Sequence, residues 1–438
     1  MRILHFADVH ARAEDLDEIE KCTGHILEVA RAERPDLIID AGDIFHSQFV
    51  RADSPAVKYI HRWMQAMADV APVARVMGTR SHDGKASEVL DLIGAANHIR
   101  TAVDGPLQLV LTRNGNLWDR EQYEAVTSGG APAPIIAVVS LVPAPTKEHL
   151  VGLVPGSDIK ETDALIAQGL SAMFLGLAAS AAEIGNVPHI LVGHWNTTGA
   201  FISPTQMLTG VDIEVSRDQM MAGNPNLVCL GHIHEAQRIG SAPIFYAGSP
   251  QINTWGELDA KGFYIHEKKD DGDYAGAWDH RFIETPTRRR LIVSHDFTRY
   301  PANPVSAITV AAADACAPYT IGATVEGAMV RVAIKFYQDE EAIFDDMEIG
   351  LPDVFPGAQS IEVVRTRVAR ANVRAARMLE IERLREKIEQ RAAMSGELVP
   401  AGVLDKADAL EDIDPESLLA AVEAEADGIV PNEDRRAA

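Results

Sequence analysis

The chain has little cysteine: three residues in 438, Cys22, Cys229 and Cys316, with no Cys-x-x-Cys pair among them. That excludes a disulfide framework or a zinc ribbon, and the three read as reduced core thiols of a cytoplasmic protein. No uninterrupted apolar run reaches transmembrane length. The opening Met1-Arg2-Ile3-Leu4-His5-Phe6-Ala7-Asp8 enters a strand pattern directly, without the longer apolar stretch and small-residue cleavage site of a signal peptide. The expectation is a globular cytoplasmic protein that needs no membrane. There is no Gly-x-x-x-x-Gly-Lys-Ser/Thr loop, so any ATP-driven step belongs to another chain. Basic residues are scarce relative to acidic ones, 40 against 64, for a net charge of −24. On its face that argues against nucleic acid, whose phosphates attract basic surfaces. The argument weakens if carboxylates hold cations, and a dense acidic stretch from Asp405 to Asp434 lies apart from the rest.

What the chain does have is histidine and aspartate placed after apolar, strand-like runs. Leu227-Val228-Cys229-Leu230 leads into Gly231-His232-Ile233-His234. Residues i and i+2 of an extended segment project to one side, so the two imidazoles can approach one point. Alone, such a pair can equally bond to backbone at a strand end. Four more strand ends argue otherwise. Ile3 to Ala7 is followed by Asp8-Val9-His10, the same spacing with one carboxylate and one imidazole, a mix that suits Mn²⁺, Fe²⁺ or Zn²⁺. Leu37-Ile38-Ile39 ends in Asp40-Ala41-Gly42-Asp43-Ile44-Phe45-His46, where Gly42 permits a sharp turn and Asp43 stands at a strand's carboxyl end. Ile190-Leu191-Val192-Gly193 supplies His194 in the same way, and Val73 to Met77 leads into the polar loop Gly78-Thr79-Arg80-Ser81-His82-Asp83-Gly84.

Helical patterns separate these strands. One runs from about Asp15 to Ala32 with Leu16, Ile19, Ile26, Leu27 and Ala30 on one face. Ser54-Pro55 opens another by the N-cap and N1 rule, and a largely apolar helix covers Asp163 to Ile184, too interrupted to demand a membrane. Strands alternating with helices, each strand ending in a ligand-bearing loop, indicate a layered α/β domain. A linker is expected near Pro301 to Pro304. Beyond it Val330 to Phe336, Asp339 to Ile349 and Ile361 to Val364 read as strand, helix and strand of a small α+β unit. One long helix is expected from Arg365 to Ala393, with Arg367, Arg370, Arg374 and Arg377 as a basic stripe and Ile381, Leu384 and Ile388 at heptad-like spacing. That helix is either a solvated surface helix or a docking helix. Residues 394 to 413 read as a linker, and Asp414-Pro415-Glu416 starts a last helix.

Asp8, His10, Asp43, His194, His232 and His234, with the loop around His82, exceed what one four-coordinate metal needs, which indicates two metals sharing a carboxylate, Asp43 being the natural bridge. Two cations about 4 Å apart suit hydrolysis of a phosphate monoester or diester.

The motifs Asp8-x-His10, Gly42-Asp43, His82-Asp83, Gly193-His194 and Gly231-His232-x-His234, in that order, resemble those of the calcineurin-like metallophosphoesterase superfamily. The resemblance implies a β-sandwich flanked by helices. It also implies one metal on Asp8, His10, Asp43 and His234, a second on Asp43, His194 and His232, and His82 as the catalytic histidine. Ser81 stands where the family usually has a metal-binding Asn, and a hydroxyl is the weaker ligand. The run Gly42-Asp43-Ile44-Phe45-His46 looks like that of the SbcD-type nucleases, which implies that His46 orients the phosphate. It further implies a nuclease domain over 1–295, a capping domain over 296–364, and a helical region over 365–438 that docks on an SbcC-type coiled-coil ATPase, in a homodimer. Two Mn²⁺ ions and DNA are the implied cofactors and substrate, with Arg80 and Arg288 to Arg290 as candidate phosphate contacts or ordinary surface charges. A phosphodiesterase or phosphatase for nucleotides or phosphoproteins, and a catalytically silent scaffold for DNA ends, are the alternatives.

Overall fold

A computed structural model of the chain describes residues 1–127, 133–145, 159–203, 206, 213–257, 259–269, 278–316, 325–370, 381–396 and 398–411. Two sheets lie face to face. The first has six strands. In it β1 (Arg2–Phe6), β2 (Leu37–Asp40), β3 (Val73–Val76) and β4 (Ile99–Ala102) run parallel, and β12 (Gly262–Lys268) and β13 (Trp278–Glu284) add antiparallel beyond β1. The second has seven, in the order β10 (Gln237–Arg238), β11 (Ile244–Tyr246), β9 (Leu227–Gly231), β8 (His189–His194), β7 (Ile135–Val142), β5 (Leu107–Thr112), β6 (Leu117–Asp119). Its four central strands, β11, β9, β8 and β7, are parallel.

The two-residue alternation of β1 sorts the core. Ile3 and Ala7, with Leu37 and Ile39 of β2, face the second sheet, where Val139, Ile190, Val192 and Cys229 meet them. Leu4 and Phe6 face outward onto α1 (Leu16–Glu33) and α2 (Pro55–Val70), packing with Ile19, Ile26, Ile60, Trp63 and Met64. Ser54 caps α2 as its sequence predicts, its hydroxyl accepting from Val57 N with Pro55 in the first turn. The outer face of the second sheet is covered by Leu170 and Phe174 of a 26-residue helix, Ile159–Ile184, with Met220. The segment Ala167–Ile184 has the length and mean hydropathy (1.2) of a membrane-crossing helix, with 17% of it buried. The helix is longer than its sequence pattern predicts, but Gln168 and Glu183 interrupt this segment, so it is not an uninterrupted apolar run.

The chain divides into two compact units, one of residues 1–334 with 343–365, the other of 335–342 with 366–438. A three-stranded sheet, β14 (Arg290–Asp296), β15 (Met329–Tyr337) and β16 (Ser360–Val368), occurs with helices Pro304–Cys316 and Glu341–Val354, and the first unit takes these elements up to Ile334 and from Ile343 to Arg365. The linker expected at Pro301 to Pro304 is thus followed by a helix that the sequence reading passed over. The long helix expected from Arg365 to Ala393 is overturned. Arg365 to Val368 belong to β16, and among the described residues of that span helix is found at Leu384–Ser395, while 371–380 lie outside the described residues. Strand side chains alternate, so Arg367 follows Arg365 on one side of β16, not along a helical stripe. In the second unit Arg367 pairs with Glu341 and Arg370 with Asp339, while Arg374 and Arg377 lie outside the described residues. The expected linker over 394–413 contains a helix, Val403–Glu411, and Arg385 of the preceding helix pairs with its Asp408. The last predicted helix, at Asp414, lies outside the described residues.

Candidate metal centre

Parallel strands of both sheets deliver their carboxyl ends to one place. Asp8 and His10 follow β1, Asp43 follows β2, His194 closes β8, and His232 and His234 follow β9. The ligand atoms of Asp8, His10 and His234 lie within 4.8 Å of one another, and so do those of Asp43, His194 and His232. Asp43 faces both groups: its Oδ2 is 3.2 Å from His194 Nε2 and 4.0 Å from His10 Nε2. His10 Nε2 and His234 Nε2 stand 3.0 Å apart.

Tight backbone turns make this convergence possible. Gly42 has φ +97°, and a Cβ there would lie 2.7 Å from His194 Nδ1 and 2.8 Å from Gly78 Cα. At Gly78 a Cβ would come within 2.1 Å of Asp43 Oδ1, so both positions exclude any side chain. Asp83 then ties two loops together, its carboxylate accepting from the amides of Gly78 (2.9 Å), Asp43 (3.0 Å) and Ile44 (3.1 Å). Behind Asp43, fully buried Arg75 donates to Asp40 at 3.0 Å, and Asp40 in turn accepts from Gly42 N. Asp8 is held from the other sheet by His232 N–H, 3.0 and 3.1 Å from its two oxygens.

The donor set fits divalent cations. Adjacent ligands at about 2.1 Å from one ion stand about 3 Å apart, which is the spacing of His10 with His234 and of Asp43 with His194. Burial holds the His10 imidazole well below its ordinary range and His232 down to about 3, so both are neutral ligands. Burial also pushes Asp8 up to about 6, a cost that a cation beside it would reverse. His194 is displaced the other way, to about 10: burial lowers it, but the Asp43 charge more than compensates. A proton on His194 therefore does for Asp43 part of what a metal charge would do.

Beside the first group sits a third, His10, His46 and His82, the last two at the surface end. The His82 ring centroid is 4.5 Å from that of His10, and His82 Nδ1 donates to the His46 carbonyl at 2.7 Å, which fixes the orientation of the ring. Ser81 is not among these groups. It is exposed, and among the described residues its hydroxyl reaches only Thr79 Oγ1, at 3.5 Å. The hydroxyl on Asp43 is that of Thr79, 3.0 Å from both carboxylate oxygens, while Thr79 N–H donates to Oδ1 at 2.7 Å. Arg80 is exposed on the same loop. Arg288 and Arg290 are committed elsewhere, to Asp17 at 2.7 Å and Asp15 at 2.8 Å, which speaks against their holding DNA phosphates.

Three supporting residues escaped the sequence reading. Glu257 lies 3.5 Å from His234 Nδ1 and accepts from Lys261 at 2.9 Å. Gln206 donates to the His232 carbonyl and accepts from His234 N. Such partners orient ligating imidazoles, but their own sequence surroundings carry no ligand signal. Between the two sheets a separate row, His5, His266 and His280, is linked ring to ring at 3.3 and 2.9 Å, with Cys229 beside the first two.

The calcineurin-like phosphoesterase family model matches residues 1–236. The chain belongs to that family. Among curated proteins nothing matches. Among solved structures it is similar to GAP50, the anchor in the inner membrane complex of Plasmodium, at 14% identity and a TM-score of 0.41, over 65% of this chain and 85% of that one. The mixed α/β architecture, two sheets flanked by helices, is that of a metallophosphoesterase, and the family binds two divalent metals and hydrolyses phosphoesters. Two such ions would activate water and neutralise phosphate oxygens. The chain's own part is to place Asp43 between the two groups of ligands and to hold the His82 ring, through the His46 carbonyl, beside His10 at the open side of the site.

Proposed function

We propose that this phosphoesterase is a Mn²⁺-dependent DNA exo- and endonuclease subunit, with Asp8, His10, Asp43 and His234 on one ion, Asp43, His194 and His232 on the other, and His82 at the leaving oxygen. The observation that carries the reading is the imidazole pair outside the ligands. His46 and His82 have ring centroids 5.8 Å apart, and both belong to the group that includes His10, where a phosphodiester strand would pass. Mn²⁺ suits the mixture of carboxylate and imidazole. Since the chain has no phosphate-binding loop of its own, an SbcC-type ATPase is the proposed partner and the helices from Leu384 to Glu411 its docking region, in a dimer of this chain.

Purified protein with Mn²⁺ should degrade linear duplex DNA from its ends, and Asp43→Ala or His82→Ala should abolish this while leaving the fold. Truncation at residue 365 should release a coiled-coil ATPase in pull-down. Hydrolysis of nucleotides or small phosphodiesters with none of DNA would replace this reading by that of a small-substrate phosphodiesterase. Two bound metals with no hydrolysis at all would leave a scaffold.

A further inference from the structure

A cavity of about 420 Å³ opens directly beside the metal centre, within the range of small-ligand sites. Its wall is shared with that centre. Gly78 lines the cavity on one side and abuts the Asp43 carboxylate on the other, and Asp83, which fixes Asp43, lines it too. The rest divides by chemistry: Phe49, Met77, Val103, Pro143 and Ala144 are apolar, Arg80 and Lys85 are cationic, and Glu88 and Asp104 are acidic. A pocket with an apolar face and a charged rim, one backbone away from the site of phosphate chemistry, suits a planar heterocycle joined to a phosphate.

Phe49 is 82% exposed. A single exposed apolar residue is ordinary, but this one is fixed to the catalytic loop. Gln48 N–H donates to the Ser81 carbonyl at 3.0 Å, and His82 donates to the His46 carbonyl, so residues 46–49 and 79–82 are bound as one piece. Gly84 packs so close to Gln48 that a Cβ would lie 2.5 Å from the Gln48 carbonyl oxygen. The backbone that carries the ring is therefore fixed relative to His82, and the side chain lines the cavity. An aromatic held this way is a stacking platform, and a base stacks on it whatever its identity.

We infer that this cavity is a nucleobase subsite: the base next to the scissile phosphate leaves the helical stack and lies against Phe49, with Arg80 and Lys85 beside its sugar-phosphate. The inference rests on the nuclease reading above and specifies how that nuclease grips a strand end. It accounts for strand capture by a protein of strongly negative charge, because stacking does not depend on net charge.

The test uses the full-length protein with Mn²⁺ on linear duplex DNA and on bis(4-nitrophenyl) phosphate, which has no base. Phe49→Ala should lower the ratio of DNA rate to small-diester rate about tenfold, the size of one base–aromatic stack, with an unchanged melting curve because the ring is exposed. Phe49→Trp should restore the ratio. Abasic nucleotides at the DNA end should slow the wild type by a similar factor and Phe49→Ala no further. An unchanged ratio in Phe49→Ala, or equal sensitivity of both proteins to abasic ends, would overturn the subsite while leaving the nuclease reading intact. A wild type active on the diester but inert on every DNA end would remove both.

Discussion

Thr79→Val isolates one hydrogen bond at the bridging carboxylate. Valine keeps the shape of threonine and removes only the hydroxyl that donates to both oxygens of Asp43 at 3.0 Å. The Thr79 amide, 2.7 Å from Oδ1, stays in place. A hydrogen bond to a charged acceptor contributes about 1.5–3 kcal/mol, and since the amide still restrains Asp43 the lower end applies. At about 1.4 kcal/mol per decade, that is roughly tenfold in metal affinity, in line with the 10- to 100-fold effects of removing partners of metal ligands. The assay is a Mn²⁺ titration followed both by phosphodiester hydrolysis and by calorimetry. The expected result is a midpoint moved about tenfold to higher Mn²⁺, with much of the rate recovered at saturation. Thr79→Ser should behave as wild type.

Ser81→Ala is the decisive companion. By motif position Ser81 would replace the family's asparagine, but among the described residues its exposed hydroxyl touches only Thr79, at 3.5 Å, so its loss should leave the titration where it was. If Ser81→Ala moves the midpoint as far as Thr79→Val, or if Thr79→Val titrates like wild type, the assignment of the hydroxyl to residue 79 is refuted.

Glu257→Gln should weaken metal binding about tenfold by loosening His234. It should also cost about 2–3 kcal/mol in urea unfolding, less than the ~3–5 for orphaning a buried charge, because Lys261 keeps Asp259 at 2.8 Å. The imidazole row between the sheets predicts acid sensitivity. Burial lowers His5 to about 3 and His266 well below its ordinary value. The unfolded chain takes up these protons first, so stability is complete above about pH 6.5 and falls as pH drops toward 3. Each of these two rings should remove about 2 kcal/mol between pH 6.5 and 5. Urea unfolding of His266→Phe at both pH values should show a visibly shallower loss, and an equal loss in both proteins would count against the row.

The part of the fold that positions the site is legible wherever a period is unmistakable. Leu37–Asp40 and Leu227–Gly231 are short apolar runs that stop at glycine or aspartate, and Ser54-Pro55 announces its helix. The two-residue spacing in Asp8-x-His10 and His232-x-His234 says which side chains can meet, because it survives from sequence into space. Thr79 and Ser81 could not be told apart that way: the choice depends on the path of the seven-residue loop Gly78 to Gly84, and both are hydroxyls. Glu257 lies 23 positions after His234, so nothing local marks it. The arginines near residue 365 misled because they fit a helical spacing as well as a strand. Arg365 and Arg367 alternate with Val364 and Thr366, and acids on neighbouring segments, Glu348 and Glu341, settle the contest in space.

The backbone itself argues that the site is built in advance of its ions. Asp8, His10, Asp43 and His232 have φ of 54°, 46°, 56° and 92°, a region that among the described non-glycine residues only Arg34 and Asn224 share. Each such conformation costs about 1–3 kcal/mol, so four in one place persist only if their surroundings hold them. They are held by hydrogen bonds within the chain: Asp8 N to the Gly42 carbonyl, His10 N to the Asp43 carbonyl, Asp43 N to Asp83, and His232 N to Asp8. Each bond joins one ligand strand end to another, or to the loop carrying His82. The curl after each strand turns ligand side chains back over the sheet edge, and the same bonds that stabilise the curl set their separations. Strain and convergence are thus one feature. A substitution that relaxes any of the four, such as Asp83→Ala freeing the turn at Asp43, should therefore disperse the ligands even where no ligand is altered.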